Sequence, residues 1–453
     1  MTVVSKKNSA LYLGTSSDIT HLVYESLRIY PLNGKPFDIS QNVVGMSYFE
    51  NILEASVAME IQIVSSTSVF NAVNIRGGER VTMKIDTANG VDRFEIEEDN
   101  PMYVYKISNM STTLMGESFT LHLVSREFLT NETSRCMRKY GEQSIHEHVK
   151  DILSSELKTD RFNDGTIETT VNNYTFIGNS KKPFHVLQSL GPKGISSVPG
   201  PKGNSGSGKH GEAKGTAGFL FFENKEGFNF RSLDGLVSPT SPGSSFSKNK
   251  YEYTYTDIIE ESITKSTQHK ILKFFYEHNV DVRKALRVGM YSNYSYFYDM
   301  ITNELSGFKY TLRDQIGPKL GSEDTLAVSS DFDDSISRVM FRLSDHGVLD
   351  TGTGTKDSGR DAVDMAKSFS RYNLLFSQAL NILVPLNVDL KVGDIVKCKL
   401  PLIGGDENGD HSFDKEMSGN YLIRELRHSF IPNQNTTSLK LMRDSYGLYG
   451  PDE

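Results

Sequence analysis

Cysteines and long apolar runs are scarce in this sequence. Only two cysteines, Cys136 and Cys398, occur in 453 residues, and they lie far apart in different candidate domains. We therefore expect a protein made in a reducing, intracellular environment, without a disulfide framework. No run of about 18 apolar residues occurs, so no membrane-spanning helix and no membrane insertion are predicted. The first ten residues also lack the apolar core of a signal peptide.

An excess of positive charge is missing as well. Lysine and arginine total 49 residues against 57 aspartates and glutamates, which gives a net charge of −8. Because neutralising phosphates requires clustered lysine and arginine, this balance argues against a dedicated nucleic-acid binder. The chain length predicts about two to four domains, at the usual size of about 100–200 residues each.

Short strands follow one another between residues 20 and 125. Met59, Ile61 and Ile63 alternate with polar residues, a period of two that places one side of a strand on a core. Residues 81–86 repeat this pattern. About seven such strands predict an antiparallel barrel or sandwich as the first domain.

Helical periodicity replaces the alternation in residues 126–215, the second predicted domain. The sequence predicts helices at residues 128–140, 143–157 and 183–190, the last with a proline in its first turn. A strand is predicted at residues 174–177. This domain is therefore expected to be mixed and mainly helical.

A Gly-rich loop at residues 191–215 is the clearest low-complexity stretch. Glycine recurs every few residues, but the triplet phase that a collagen helix requires fails at Ser197 and Lys209. A flexible surface loop is therefore favoured over a triple helix. The polar ends of the chain, residues 1–19 and 447–453, are expected to form an arm and a tail.

The C-terminal half is predicted to contain a second barrel, split by an insertion. The barrel combines a hairpin in residues 216–238 with residues 371–446. The insertion, residues 239–370, is expected to be a mixed domain with a helix at 294–305 and an acidic loop at 317–359. The fold class is thus predicted to be mainly β, with two antiparallel β-barrels and mixed α/β inserted domains.

The last part of this barrel shows the clearest strand pattern in the chain. A helix over residues 361–379 leads into it, with apolar residues at helical spacing. Tight turns and alternating apolar residues then predict four strands. These strands are expected at residues 386–392, 395–400, 421–430 and 438–443.

Two glycine-containing strings approach nucleotide-binding motifs without completing them. Residues 203–209 nearly match a phosphate-binding loop, but His210 stands where a serine or threonine must hold the metal. Gly352 and Gly354 lack the third glycine of a dinucleotide fingerprint. We therefore predict no cofactor-binding residue.

Metal ligands and catalytic groups are likewise not singled out. His146 and His148 diverge on a helix, whereas a helical zinc pair requires i and i+4 spacing. Asp406, Asn408 and Asp410 begin like a calcium loop, but the glycine and glutamate expected later in that loop are absent. No Gly-x-Ser-x-Gly elbow occurs. No metal-binding or catalytic residue is predicted, although a glycosidase carboxylate pair stays open.

The most distinctive local string is Arg76-Gly77-Gly78-Glu79-Arg80. Two adjacent glycines between charged residues permit a tight turn or a bulge with positive φ. One interpretation is a structural turn with an Arg–Glu pair. The alternative is a candidate interface, a fixed contact point at a subunit or ring boundary where arginine can bind a carboxylate bidentately.

The chain resembles the central baseplate hub proteins of T-even-type contractile-tail bacteriophages (myoviruses). The resemblance rests on short strings that occur in a consistent order over most of residues 20–450. These strings are Ile75–Val81, Leu121–Glu127, Lys182–Phe184, Gly218–Ser232, Tyr372–Phe376 and Gly419–Ser445.

The resemblance implies two barrels related to the tail-tube subunit, at residues 20–125 and at 216–238 with 371–446. In that family, three copies form a ring with pseudo-sixfold symmetry, which adapts the sixfold tail tube to the threefold spike. The loops at residues 191–215 and 317–359 depart from the family pattern.

The resemblance also implies a structural homotrimer that carries no active site and no cofactor. Its expected partners are a spike or lysozyme-type protein, tail-tube or tube-initiator proteins and a tape-measure protein. Genomic DNA would pass through an acidic lumen without specific binding. The implied location is the virion baseplate, after assembly in the host cytoplasm. Two alternatives stay open, a tail-associated carbohydrate-cleaving hydrolase and a monomeric sugar-binding tail module.

Overall fold

The computed structural model describes residues 22–32, 34–87, 93–197, 218–237, 251–255, 269–278, 281–299, 303–311, 320–321, 336–344, 358–375, 378–402, 413–431, 435–445 and 447. Of these described residues, 51% lie in strands and 20% in helices, which confirms the mainly β class. Within these ranges, no helix combines the length and the apolarity needed to cross a membrane. The predicted N-terminal arm and most of the Gly-rich and acidic loops lie outside the described residues.

An antiparallel unit occupies the first part of the chain, where about seven strands are predicted. Its strands are β1 (Leu22–Tyr30), β2 (Phe37–Asp38), β3 (Val43–Asn51), β4 (Ala58–Ser65), β5 (Arg80–Thr87), β6 (Arg93–Ile96), β7 (Met102–Thr113) and β8 (Gly116–Val124), with helix α1 (Val69–Val73) after β4. The spatial order is β3-β4-β8-β7-β5, and β1 and β2 extend the sheet beyond β5. Met59, Ile61 and Ile63 are buried, as their alternation predicts.

A mixed layer of helices and short strands follows. Its elements are α2 (Arg126–Thr133), β9 (Lys139–Ser144), α3 (Ile145–Ser155), β10 (Asn173–Ile177), α4 (Pro183–Leu190), β11 (Phe219–Asn224), β12 (Gly227–Ser232) and α5 (Leu233–Val237). The predicted helix at 128–140 is wrong beyond Thr133. Cys136 forms an isolated bridge with Lys181, and β9 then pairs with β10. The helix predicted at 183–190 and the hairpin of β11 and β12 are confirmed.

The next elements include a small separate sheet. They are β13 (Glu252–Tyr255), β14 (Lys270–Ile271), β15 (Lys273–His278), α6 (Val282–Val288), β16 (Ser292–Asp299), β17 (Glu304–Thr311), β18 (Arg338–Ser344) and α7 (Ser358–Leu375). The predicted helix at 294–305 is wrong, because β16 and β17 occupy that region as an antiparallel pair. Asn293, Ser295 and Phe297 are buried while the tyrosines between them are half-buried, a period of two.

Four further strands complete the fold, but one of them differs from its prediction. They are β19 (Gln378–Pro385), β20 (Ile395–Lys399), β21 (Gly419–Phe430) and β22 (Thr436–Arg443). The predicted strand at residues 386–392 is wrong, since the strand has already ended at Pro385. Leu386, Val388, Leu390 and Val392 are nevertheless buried. Their alternation marks an irregular segment that covers the core.

Two groups of five strands repeat the same arrangement. In the first unit the order is β3-β4-β8-β7-β5, and in the second it is β15-β19-β22-β21-β20. Numbered along the chain, both orders are first, second, fifth, fourth, third, and every pair within them is antiparallel. A bulge interrupts the fourth strand of each unit, at Val104/Lys106 in β7 and at Ile423/Glu425 in β21.

The two units join edge to edge into one sheet. β21 pairs with β3 from Glu425 opposite Asn51 to Phe430 opposite Met46. We call this pairing the seam. One buried core runs through both units. No sheet in the described ranges closes on itself, so two separate barrels are not confirmed.

Candidate functional site

The Arg76–Arg80 turn is held by the buried carboxylate of Glu79. This carboxylate accepts the backbone N–H of Arg76 at 2.6 Å and that of Gly77 at 2.9 Å. Gly77 and Gly78 have φ angles of 101° and 90°, a region that side chains rarely enter. The turn is therefore stabilised by its own residues. Glu79 accepts hydrogen bonds from backbone N–H groups, whereas one interpretation of the sequence was a side-chain pair between an arginine and Glu79.

The same turn fixes one end of β7. The Gly78 N–H donates to the backbone carbonyl oxygen of Val104 at 2.7 Å, and the Val104 N–H donates to the backbone carbonyl oxygen of Glu79 at 2.9 Å. Arg76 and Arg80 are exposed beside this contact. Past Val104, the same edge of β7 has no strand partner among the described residues. The candidate interface thus lies at the start of an open sheet edge.

Glu50 connects three distant segments next to the seam. It is 2% exposed, and its Oε1 accepts the Tyr48 hydroxyl at 3.0 Å and the Lys225 N–H at 2.7 Å. Its Oε2 accepts the Val392 N–H at 2.9 Å. Burial raises the pKa of this carboxyl to about 7, against the opposing effect of the hydrogen bonds. Glu50 therefore fastens the β11–β12 turn and the 386–392 segment to β3.

A buried histidine lies on the seam itself. His428 pairs with Tyr48 across β21 and β3, and the two rings stack with centroids 6.2 Å apart. The His428 Nδ1 lies 2.9 Å from the Thr437 hydroxyl. Burial lowers the pKa of His428 to about 3, so the ring is neutral at pH 7. His428 therefore contributes to packing at the seam, and its charge does not change near pH 7.

Glu223 makes a second buried junction, between the hairpin, the first unit and the mixed layer. Its Oε2 accepts the Ser125 hydroxyl at 2.8 Å and the Val57 N–H at 3.1 Å. Arg161 Nη1 lies 2.5 Å from Glu223 Oε1. Burial raises the pKa of Glu223, whereas the charge of Arg161 opposes that rise. The hairpin is therefore bound to both neighbours through one carboxylate.

A third junction is a buried ion triad. Arg371 of α7 donates to Asp234 of α5 at 3.1 Å and to Asp444, just after β22, at 2.8 Å. All three residues are at most 4% exposed. Buried ion pairs are sensitive to the loss of one partner, because the other charge is left uncompensated. The triad locks α7 onto the end of the second unit.

None of these three junctions was predicted from the sequence, although a signal exists for two of them. Glu223 follows four apolar residues in the strand Phe219–Asn224, and Glu50 follows Tyr48 and Phe49 in β3. A single carboxylate in an apolar strand must be paired or exposed. The partners other than Tyr48 could not be named, since they lie 62 to 342 residues away.

Ser108, His122 and Glu60 form a hydrogen-bonded chain that superficially matches a nucleophile, a base and an orienting acid. Ser108 Oγ lies 2.6 Å from His122 Nε2, and His122 Nδ1 lies 3.2 Å from Glu60 Oε1. Strand register accounts for both contacts. His122 is directly opposite Glu60 and diagonal to Ser108 in neighbouring strands. We therefore interpret these two hydrogen-bond contacts as the result of side-chain pairing between neighbouring strands.

Metal binding gains no support from the described residues. No group of three or more histidine, cysteine, aspartate or glutamate side chains converges there. The Nδ1 atom of His146 lies 3.1 Å from the Thr170 hydroxyl, and the Nε2 atom of His148 lies 2.6 Å from the backbone carbonyl oxygen of Tyr174. Both cysteines are buried free thiols. The strings at 203–209, 352–354 and 406–410 lie outside the described residues.

Comparisons with known proteins add the fold relationship. No family model matches the chain, and no curated protein is significantly similar in sequence. A tail protein from Neisseria meningitidis MC58 matches with a TM-score of 0.50 and 11% identity, over 92% of this chain and 96% of that chain.

Two prophage tail proteins match as well. The 43 kDa tail protein of prophage MuSo2 from Shewanella oneidensis matches with a TM-score of 0.50 and 10% identity, over 93% of this chain and 99% of that chain. A prophage tail protein from Listeria monocytogenes EGD-e matches with a TM-score of 0.45 and 10% identity, over 93% and 95% of the two chains. The chain therefore shares the fold of tail proteins, as the resemblance predicted.

Proposed function

We propose that this chain is a structural virion protein, a homotrimeric baseplate hub that joins a sixfold tail tube to a threefold spike. The fold shared with tail proteins along more than nine-tenths of both chains supports the general assignment. The finer assignment is carried by one observation, the internal repeat joined by the seam. A pseudo-sixfold ring of three chains requires two equivalent units per chain.

The repeat gives an eight-stranded antiparallel ribbon with two open edges. Its order is β15-β19-β22-β21-β3-β4-β8-β7. Among the described residues, β15 pairs only with β19, and β7 lacks a second partner past Val104. Open edges favour pairing with another chain. The ribbon is therefore suited to closure by further copies.

We use the strand pairing at the seam as the model for the contact between neighbouring copies. β21 first pairs with β20 and then, past its bulge, with β3. β7 first pairs with β5 and is open past the equivalent bulge. Because β15 is the repeat equivalent of β3, we propose that β7 of one copy pairs with β15 of the next. Alternating strand directions make this pairing antiparallel, as at the seam.

Three ribbons of eight strands give a closed ring of 24 strands. With strands about 4.8 Å apart and tilted by about 35–45°, the backbone radius is about 22–26 Å. Barrels of about 16–18 strands already leave an aqueous channel. A ring of this width can serve as part of a DNA conduit.

The proposed conduit does not depend on an acidic lining. The ribbon face turned away from the core carries Glu60 and Glu425 together with Lys106, Arg427 and Lys440, as the cross-strand register shows. Both signs are therefore present on that face. The acidic lumen expected from the resemblance stays a prediction.

The Arg76–Arg80 turn lies where the proposed contact between copies begins. Arg76 and Arg80 are exposed beside the start of the open β7 edge. Glu277, exposed near the end of β15, comes to the same end of the ring in the neighbouring copy. An Arg–carboxylate contact is therefore the proposed role of the turn. Spike, tube and tape-measure proteins are the proposed partners along the axis.

The mass of the purified chain in solution tests this proposal. Light scattering should give about three times 50.7 kDa, alone or after a spike partner is added. Glu277→Pro should shift the mass toward one chain, because proline obstructs strand addition at an edge. Glu277 has no partner in the β19 register, so its folding cost should be small. A wild-type protein that stays monomeric under both conditions would contradict the hub assignment.

A further inference from the structure

One end of the ribbon carries exposed apolar side chains from several strands. The end of β4, the start of β3, the β7–β8 turn and the end of β21 meet there. The exposed fractions are 49% for Val44, 53% for Val64, 50% for Met110, 108% for Leu114, 90% for Met115 and 40% for Ile431. We call these six residues the uncharged rim.

Strand register places these residues together. Val43 pairs with Ile63, and Ser65 pairs with Glu117 just beside the Leu114–Met115 turn. A Cβ added at Gly45 would lie 3.5 Å from Ile431 Cγ1, which brings the end of β21 to the same place. The rim is therefore a continuous edge of the molecule and not a set of scattered side chains.

Charge is absent from the three chain segments of the first unit that form the rim. Residues 39–49, 61–69 and 107–116 contain no aspartate, glutamate, lysine or arginine. At the 23% charged fraction of the whole chain, these residues would carry about seven charges. An exposed apolar edge built from segments that carry no charge is typical of a surface that another molecule covers.

At the opposite end of the ribbon, two longer helices adjoin the strands. β8 ends at Val124 and α2 begins at Arg126, while α7 ends at Leu375 just before β19 begins. At the rim, the short helix α1 follows β4, and the six apolar side chains are exposed. In the proposed ring, strand ends face along the axis.

We propose that the uncharged rim docks the next protein along the tail axis, a coaxial ring with an apolar and uncharged contact edge. Leu114 and Met115 are the anchors, because they are almost fully exposed at the hairpin turn. This inference rests on the proposed hub function. It adds which end of the hub makes the axial contact and which chemistry that contact uses.

A lipid surface fits this rim less well than a protein does. Membrane-binding edges combine aromatic residues, above all tryptophan, with lysine or arginine at the interface. The chain has no tryptophan, and the rim segments carry no lysine or arginine. The contact is therefore one of apolar packing between proteins.

Cross-linking in assembled tails tests the docking. A photo-reactive phenylalanine analogue replaces Leu114 in the full chain, and mass spectrometry identifies the chain that it binds. We expect one different tail protein. Cross-links to a second copy, to lipid or to nothing would overturn the inference. A chain that is missing from purified tails would overturn the hub function as well, so the two failures are distinguishable.

Paired variants provide an independent measure. Leu114→Ser with Met115→Ser should lower the yield of assembled tails at least tenfold, while the purified protein keeps its trimer mass. The matched control is Val339→Ser with Leu343→Ser, because these residues are 60% and 62% exposed on the separate sheet of β16, β17 and β18. Equal loss in both pairs, or no loss in the first, contradicts the proposed docking. A wild-type mass of six copies would show self-association through the rim and also contradict it.

Discussion

The carboxylate of Glu50 accepts the backbone N–H of Val392 at 2.9 Å, although 342 residues separate them in the chain. The same carboxylate accepts the Lys225 N–H from a third segment. One side chain of the first unit thus holds the hairpin and the segment that leads into β20. The rigidity of the seam depends on such contacts, because β21 and β3 pair over only six residues.

Removing this carboxylate should destabilise the protein. Glu50→Ala leaves the buried N–H groups of Lys225 and Val392 without an acceptor, which costs about 2–4 kcal/mol in the free energy of unfolding. Urea unfolding followed by circular dichroism measures the change. Glu97→Ala, at an exposed position, is the control and should stay within about 0.5 kcal/mol of the wild type.

The raised pKa of Glu50 makes stability depend on pH. The folded-state pKa of about 7 exceeds the unfolded value near 4.5, so the stability contributed by the protonated form is complete below about pH 4.5. It is lost as the pH rises through about 7. The total loss is about 3 kcal/mol, because each pH unit between these two pKa values contributes about 1.4 kcal/mol.

Glu50→Gln isolates this effect, because glutamine does not titrate. The difference in melting temperature between the variant and the wild type should change between pH 4.5 and 7.5 and be constant outside that range. A difference that does not vary with pH would show that Glu50 keeps an ordinary pKa in the folded protein.

The Arg371 triad predicts an asymmetric set of variants. Arg371→Met removes the cation that both Asp234 and Asp444 contact and should cost about 3–5 kcal/mol. Adding Asp234→Asn and Asp444→Asn to the same chain should recover part of this loss, because two buried carboxylate charges are then removed together with the cation. Chemical denaturation of the single and triple variants measures both steps. A triple variant no more stable than the single one would contradict the account.

The Gly77 position tests the turn beside β7. Gly77→Ala forces a side chain into φ of 101° and should cost about 1–3 kcal/mol. Gly141→Ala is the matched control, because nothing lies within 4 Å of a Cβ added there. Thermal unfolding compares the two. If Gly77→Ala also lowers the fraction of trimer, the turn contributes to the contact between copies.

Sequence patterns predicted the strands whose two sides differ in burial. Met59, Ile61 and Ile63 alternate strictly, and they lie in β4 with their side chains in the core. The same reasoning failed at residues 386–392, where the apolar residues are buried without a strand ladder and Asn387 is buried between two of them. A period of two reports burial on one side, which a strand shares with a segment packed over a core.

The pairing of strands that lie far apart in the chain could not be predicted from the sequence. Nothing local to β3 or β21 indicates that they pair, because their contact depends on the register of strands far apart in the chain. The Arg76–Arg80 string did predict a turn with positive φ, since adjacent glycines favour that backbone. Its partner, the start of β7, follows only from the folded sheet.

Disulfide trapping of β7 against β15 of a neighbouring copy tests the central claim most directly. Ser108→Cys is combined in one chain with Phe275→Cys or Glu277→Cys, positions on the two proposed edges, while both native cysteines are buried. We predict that oxidation gives a covalently closed trimer in the double variants and leaves each single variant as one chain. Double variants that remain one chain under oxidation, although they are trimeric in solution, would contradict ring closure through these two strands.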